Sequence, residues 1–151
     1  MMTPEQQLLV FIGAKPQAVD PIRIMKGMFI FTMRVQEDEL PPQEGCFAFG
    51  PMSYGPCSPD IYGAIDSLQR KGVISSTPVP GETWSEYTAT ERGRREAEAV
   101  ASGEDVRSAG FLQQVRDWCD KQSFTSLLRA VYSAYPAYAA RSVLPHLRPN
   151  R

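Results

Sequence analysis

The chain has 151 residues, 42% hydrophobic and 22% charged, the make-up of a globular protein long enough to bury a core without covalent staples. With 16 Lys and Arg against 17 Asp and Glu, the net charge is −1, so bulk electrostatics single out neither a nucleic acid nor a membrane surface, and only a local basic face would serve phosphate. The cysteines, Cys46, Cys57 and Cys119, and the single histidine, His146, are scattered; this argues against a metal site and reads as small apolar thiols in a reducing cytoplasm.

In chain order, Thr3, Pro4 and Glu5 predict a capped first helix with Leu8, Leu9, Phe11 and Ile12 on its apolar side, stopped by Gly13 and Pro16. The run LLVFIG is too short to span a bilayer, and no opening segment has the order of a signal peptide, so a cytoplasmic protein is expected. Asp20 and Pro21 open a second helix, running through Thr32 and apolar over most of its circumference, which is expected at the centre of the core. Its basic residues Arg23, Lys26 and Arg34 read as a solvated edge, with phosphate contact as the alternative. The acidic, proline-bearing stretch QEDELPPQEG predicts a surface loop, and the apolar run Cys46, Phe47, Ala48 and Phe49 predicts a short strand that pairs with the later hairpin.

The stretch YGPCSPDIYGAIDSLQRKGVI is the most structured in the chain. Tyr-Gly-Pro reads as a turn that packs Tyr54 on the helix to come. Ser58 is the expected cap, and the helix begins at about Pro59. Ile61, Ala64, Ile65 and Leu68 fall on one face, and Gly72 supplies a left-handed stop. Val73 and Ile74 then begin a strand, Pro80 and Gly81 mark a turn, and Thr83, Trp84, Tyr87 and Thr88 return. Thr90 caps a fourth helix of mixed charge. SGED is a linker, after which Phe111, Leu112, Val115, Trp118 and Cys119 form one helical stripe. Phe124, Leu127, Leu128, Val131 and Tyr132 form another, capped by Ser123. Pro136 ends the last helix, YAARSVLPHL adds a turn or two, and PNR is a disordered tail.

The order helix, glycine, strand, turn, strand, helix, with IYGAIDSLQRKGVI and YTATERGRREAEAV at its two ends, resembles the winged helix-turn-helix superfamily, and within it the PadR and MarR type of regulator. PIRIMKGMFIF and FAFGPMSYGPCS are similar to pieces of antitoxin-like winged-helix proteins. The resemblance implies an α+β, mostly α fold: a winged-helix domain over residues 1–101 and a C-terminal helical hairpin over residues 106–148 that dimerises or binds a partner. About 25 residues separate Thr32 from Ser58, a departure from the few that join the two helices of a compact turn motif.

Catalysis needs convergent nucleophiles, acids or bases, and the chain has no glycine-rich phosphate loop, no nucleophile elbow and no histidine before position 146, so neither an enzyme nor a cofactor is expected. The favoured expectation, by resemblance, is a dimeric regulator that binds double-stranded DNA. Tyr62, Ser67, Gln69 and Arg70 would then face the major groove, Ser58 and Lys71 would touch phosphate, and Arg92, Arg94 and Arg95 would flank the duplex. The alternative is a protein-interaction module, antitoxin-like or an adaptor. Near-neutral charge, the acidic loop and a hairpin tip without Lys or Arg favour it.

Overall fold

The computed structural model describes residues 1–147. It is α+β and mostly helical: α1 (Pro4–Gly13), α2 (Pro21–Gln36), β1 (Gly50–Met52), β2 (Gly55–Cys57), α3 (Asp60–Arg70), β3 (Ile74–Pro78), β4 (Ser85–Ala89), α4 (Glu91–Ala101), α5 (Val106–Asp120) and α6 (Phe124–Ala134), then 3₁₀ turns at Pro136–Ala139 and Pro145–Leu147. The strands form two separate antiparallel hairpins, β1 with β2 and β3 with β4. The expected disordered tail, residues 149–151, lies outside the described residues. Among the described residues no helix is long and apolar enough to cross a membrane.

Helix starts follow the local chemistry. The Thr3 hydroxyl accepts the Gln6 N–H and the Gln6 side chain accepts the Thr3 N–H, a reciprocal capping box. Asp20, Thr90 and Ser123 each accept an N–H in the first turn of α2, α4 and α6. α2 runs four residues beyond Thr32 and ends with two turn-closing bonds, Asp38 N–H to the Val35 carbonyl and Glu39 N–H to the Arg34 carbonyl, with Asp38 in the left-handed region at φ 59°.

The centre of the core is shared. Six successive residues of α1, Gln7 to Ile12, are buried, because α2, α3, α4, α5 and β4 all pack around this short helix. α2 lies so close that a Cβ on Gly27 would stand 2.4 Å from the Phe11 ring, so the crossing requires glycine there. α4 presses on the start of the second hairpin in the same way: a Cβ on Gly93 would stand 1.8 Å from the Val73 carbonyl oxygen.

The expected strand over residues 46–49 does not form. Those residues are irregular and none of them joins a hairpin; Phe47 is buried, and Phe49 packs edge-on against Phe29 at 5.4 Å. Aromatic packing on α2 takes the run out of reach of a ladder. Gly55 and Pro56, read as part of a turn, instead lie in β2 and pair with Met52 and Pro51. Tyr54, expected on α3, packs on Phe124 of α6, ring centroids 5.9 Å apart.

The inner stripes of the C-terminal helices are covered by their own chain: Leu112, Val115 and Cys119 of α5 share a core with α1 and α2, while Leu128, Val131 and Tyr132 of α6 surround Phe29. Two buried or half-buried arginines tie this part down. Arg116 is fully buried; its Nη1 donates to the carbonyls of Phe11 (3.1 Å) and Ile12 (2.7 Å), its Nη2 donates to Gln17, and its Nε meets Asp120 at 2.9 Å. Arg23 does the same for the end of α5, donating to the Cys119 and Gln122 carbonyls while paired to Asp20. The solvated edge expected for Arg23 is therefore corrected: it is a cap across helices. Replacing Arg116 by Met removes a donor from three carbonyls, of which that of Phe11 still accepts the Ala14 N–H, and from one carboxylate, and the expected loss is about 3–5 kcal/mol in urea unfolding.

Candidate functional site

The site considered is the outer face of α3 with the hairpin that follows it. α3 buries Ile61, Ala64, Ile65 and Leu68, a period that sets its other face toward solvent. Its end is closed by the Gly72 N–H to Gln69 and the Val73 N–H to Leu68, with Gly72 at φ 74°, the full left-handed stop that the glycine predicts. β3 and β4 then pair from Ile74 opposite Ala89 to Pro78 opposite Ser85. The tip turns at Pro80 and Gly81, where the Glu82 N–H reaches the Val79 carbonyl and Gly81 adopts φ 78°. Val19 bonds Tyr87 in both directions at 2.9 Å, which anchors β4 on the segment before α2.

Each expected site residue has a definite place. Tyr62 is half exposed, at 51%; burial of its ring, with Cys57 and Tyr87 adding to the effect, raises its phenol pKa above the ordinary value. Ser67 donates to Glu5 at 3.0 Å, and Gln69 donates to the Ser76 hydroxyl at 2.9 Å. Arg70 pairs with Asp66 at 2.6 Å, and Lys71 with Glu5 at 3.0 Å. On α4, Arg92 pairs with Glu96 and Arg95 with Glu91, both at 3.4 Å, while Arg94 donates to the Ala89 carbonyl at 3.3 Å.

Ser58 is a correction. It is fully buried and cannot touch a phosphate. Nor does it cap α3: Pro59 stands at the cap position, no side chain bonds the first turn, and the Ser58 hydroxyl has no partner. The reason is its neighbours, since β2 draws residues 55–57 inward and carries the serine with them.

Lys26, which sequence reasoning placed on a solvated edge, is also corrected. It is 1% exposed and donates to the Pro56 carbonyl at 2.9 Å. It thereby joins α2 to β2 immediately before α3. Burial pushes its pKa down to about 8, against a smaller opposing pull from Cys57.

The organising residue that sequence reasoning passed over is Glu5. Its carboxylate takes both Ser67 and Lys71, and the bond from Lys71, ahead of the opposing effect of burial, holds its pKa below the usual value. With Asp60, Lys71 and Glu96 it lines a cleft of about 650 Å³ between the start of α1, α3 and α4. Three carboxylates line it with one ammonium, and Arg92 balances Glu96 from beside the lining at 3.4 Å, which leaves a small negative balance that opposes phosphate. No signal local to either segment reveals it, because Glu5 and Lys71 are 66 positions apart. Among the described residues no group of His, Cys, Asp or Glu is placed to hold a metal ion. No protein-family model matches the chain, and no curated protein matches it.

Two substitutions test this geometry. Ser58→Ala removes an unpaired buried hydroxyl and is expected to raise stability by roughly 1 kcal/mol, whereas loss of a working cap would lower it by about as much; thermal unfolding reads the sign. For Lys26, the unfolded chain holds a proton between pH about 8 and 10.5 that the folded chain has released, so the linkage makes stability rise with pH across that window. Measured against Lys26→Met, the wild type is expected to gain from pH 8 to 10.5 and to show a constant difference at lower pH.

Proposed function

We propose that the chain is a non-enzymatic protein-binding module on a winged-helix scaffold, of the antitoxin-like or adaptor kind, and that the α3 face with its hairpin takes part in binding. The observation that carries this reading is charge matching. Arg70, Lys71, Arg92 and Arg95 are each paired with a carboxylate of the same chain, and among the charged residues that line the cleft beside them carboxylates outnumber cations. An exposed pair contributes only about 0.2–1 kcal/mol, so a phosphate can open one. The displaced carboxylate then stays within a few ångströms of that phosphate, and like charges at about 4 Å in water cost about 1 kcal/mol, which cancels the gain. A protein surface meets no such penalty. It can answer alternating charges with alternating charges and pack on the exposed rings of Tyr62 and Trp84.

The second reading is the dimeric DNA-binding regulator. The run of helix, left-handed stop and antiparallel hairpin favours it, as does the open outer face of α3, where Tyr62, Gly63, Asp66 and Arg70 are exposed. A homodimer formed through the terminal helices would have to use their outer faces, since their inner stripes are taken by α1 and α2.

One pair of measurements separates the two. At ~50 mM salt, genomic duplex fragments are expected to show no salt-sensitive retention; a log–log slope steeper than about −3 between ~50 and 200 mM would establish phosphate neutralisation and overturn the first reading. The tagged chain in its native host is expected to co-purify a protein whose recovery falls about tenfold in Tyr62→Ala or Asp66→Arg while the fold, by circular dichroism, is unchanged.

A further inference from the structure

We propose that the groove between α5 and α6 is a docking site for an amphipathic helix of a partner protein that carries Lys or Arg at one end. This rests on the protein-binding reading and gives it a second surface, away from α3. α5 and α6 both pack on α2 yet scarcely touch each other. The gap has a helical floor at Ile30 and Arg34, one wall from Phe111, Val115 and Trp118, and a second wall from Val131. Its volume is about 380 Å³, and Arg34 and Phe111 also line a further cleft of about 680 Å³ that follows α5 back to Val106. At 1.5 Å per residue, α5 rises about 18 Å between Val106 and Trp118, room for a helix of about 12 residues. Two helical walls over a helical floor form the groove in which an apolar helix face lies. Trp118, on its wall, remains 36% exposed, the kind of large ring on which such contacts concentrate.

Charge sets the orientation. Glu37, Asp38 and Glu39 are exposed at the end of α2, where the helix terminus adds its own negative pole. Two guanidiniums stand among them, both already engaged: Arg34 pairs with Glu39 at 2.7 Å above the Phe111 ring, and Arg107 donates to the Glu39 carbonyl at 2.9 Å. Glu37 accepts from the Tyr135 hydroxyl at 2.7 Å. Asp38 and Glu39 balance the two arginines in the lining, and Glu37 beside it at the Tyr135 hydroxyl, with the negative end of α2, leaves this mouth negative, so that it complements a basic helix end.

The test places a photo-crosslinking phenylalanine derivative in the full chain, in its native host, at Ala134 on the groove rim or at Tyr62 on α3, and sequences the attached peptides by mass spectrometry. The expected Ala134 adduct is a segment of another protein with apolar residues three and four apart and Lys or Arg at one end. Adducts from Tyr62 alone overturn the groove and leave the protein-binding reading standing, whereas adducts from neither position overturn both. An Ala134 adduct with a second copy of this chain, or with a segment lacking that pattern, overturns the helical partner. In vitro, Trp84→Phe leaves Trp118 as the only tryptophan. A synthetic Leu/Gln helix of about 14 residues ending in lysines is expected to shift its emission and to bind about tenfold more tightly than the same helix ending in glutamates. Glu37→Gln with Asp38→Asn is expected to erase that preference. Equal binding of the two peptides to the Trp84→Phe chain, or binding of neither, overturns the proposal.

Discussion

In the last turn of α1 the carbonyls of Phe11 and Ile12 lie in the interior, where a helix end must find its donors within the protein. A buried helix end without partners is costly. Arg116 answers this from α5, more than 100 positions away, by donating to Phe11 and Ile12 and to Gln17 in the turn that follows. Its own charge is balanced by Asp120 at 2.9 Å, so the interior carries a satisfied ion pair and not a lone cation. The consequence reaches through the fold. With α5 held against the end of α1, the buried middle of α1, Gln7 to Ile12, is enclosed by α2, α3, α4, α5 and β4.

That enclosure positions the face on which the functional argument rests. α3 lies over α1 through Ile61, Ala64, Ile65 and Leu68, while Glu5 on the first turn of α1 reaches the last turn of α3 through Ser67 and Lys71. Below it, Lys26 pins β2 to α2, and Gly55 passes so close to Tyr132 that a Cβ would stand 2.6 Å from the ring. Above it, Gly93 lets α4 settle on the Val73 carbonyl, and Thr90 donates to Gly72 at 2.8 Å. The hairpin is thus held at its root while its tip, residues 80–84, remains exposed.

The same contacts decide what that face offers. Of the basic residues that would count toward phosphate binding in an extended chain, Arg70, Lys71, Arg92 and Arg95 are matched by carboxylates their own helices or α1 supply, and Arg94 is turned to the Ala89 carbonyl. Each pair is weak, but together they remove the long-range positive field that steers nucleic acid. What is left is a mosaic of paired charges and a few exposed rings, which suits short-range protein contacts. This is why the protein-binding proposal is placed ahead of the DNA-binding one, although the order of helix and hairpin fits both.

Much of the architecture was legible in the residues alone. The caps at Thr3, Asp20, Thr90 and Ser123, the stop at Gly72, the turn at Pro80 and Gly81 and the buried stripe of α3 all depend on interactions within one or two turns, and such interactions are written locally. Tertiary structure decided the rest. Ser58 has the sequence of a cap but is carried into the interior by β2. Lys26 and Arg116 look like surface cations but lie inside because carbonyls from distant segments meet them there. The expected strand at residues 46–49 gave way to aromatic packing on α2. On the α3 face the pair of Arg70 and Asp66 spans one turn and could be read locally, whereas the counter-ion of Lys71, Glu5, stands more than 60 positions away and could not. Propensity and periodicity are properties of neighbours; burial and charge balance are properties of whatever the fold brings alongside, and only the assembled core settles them.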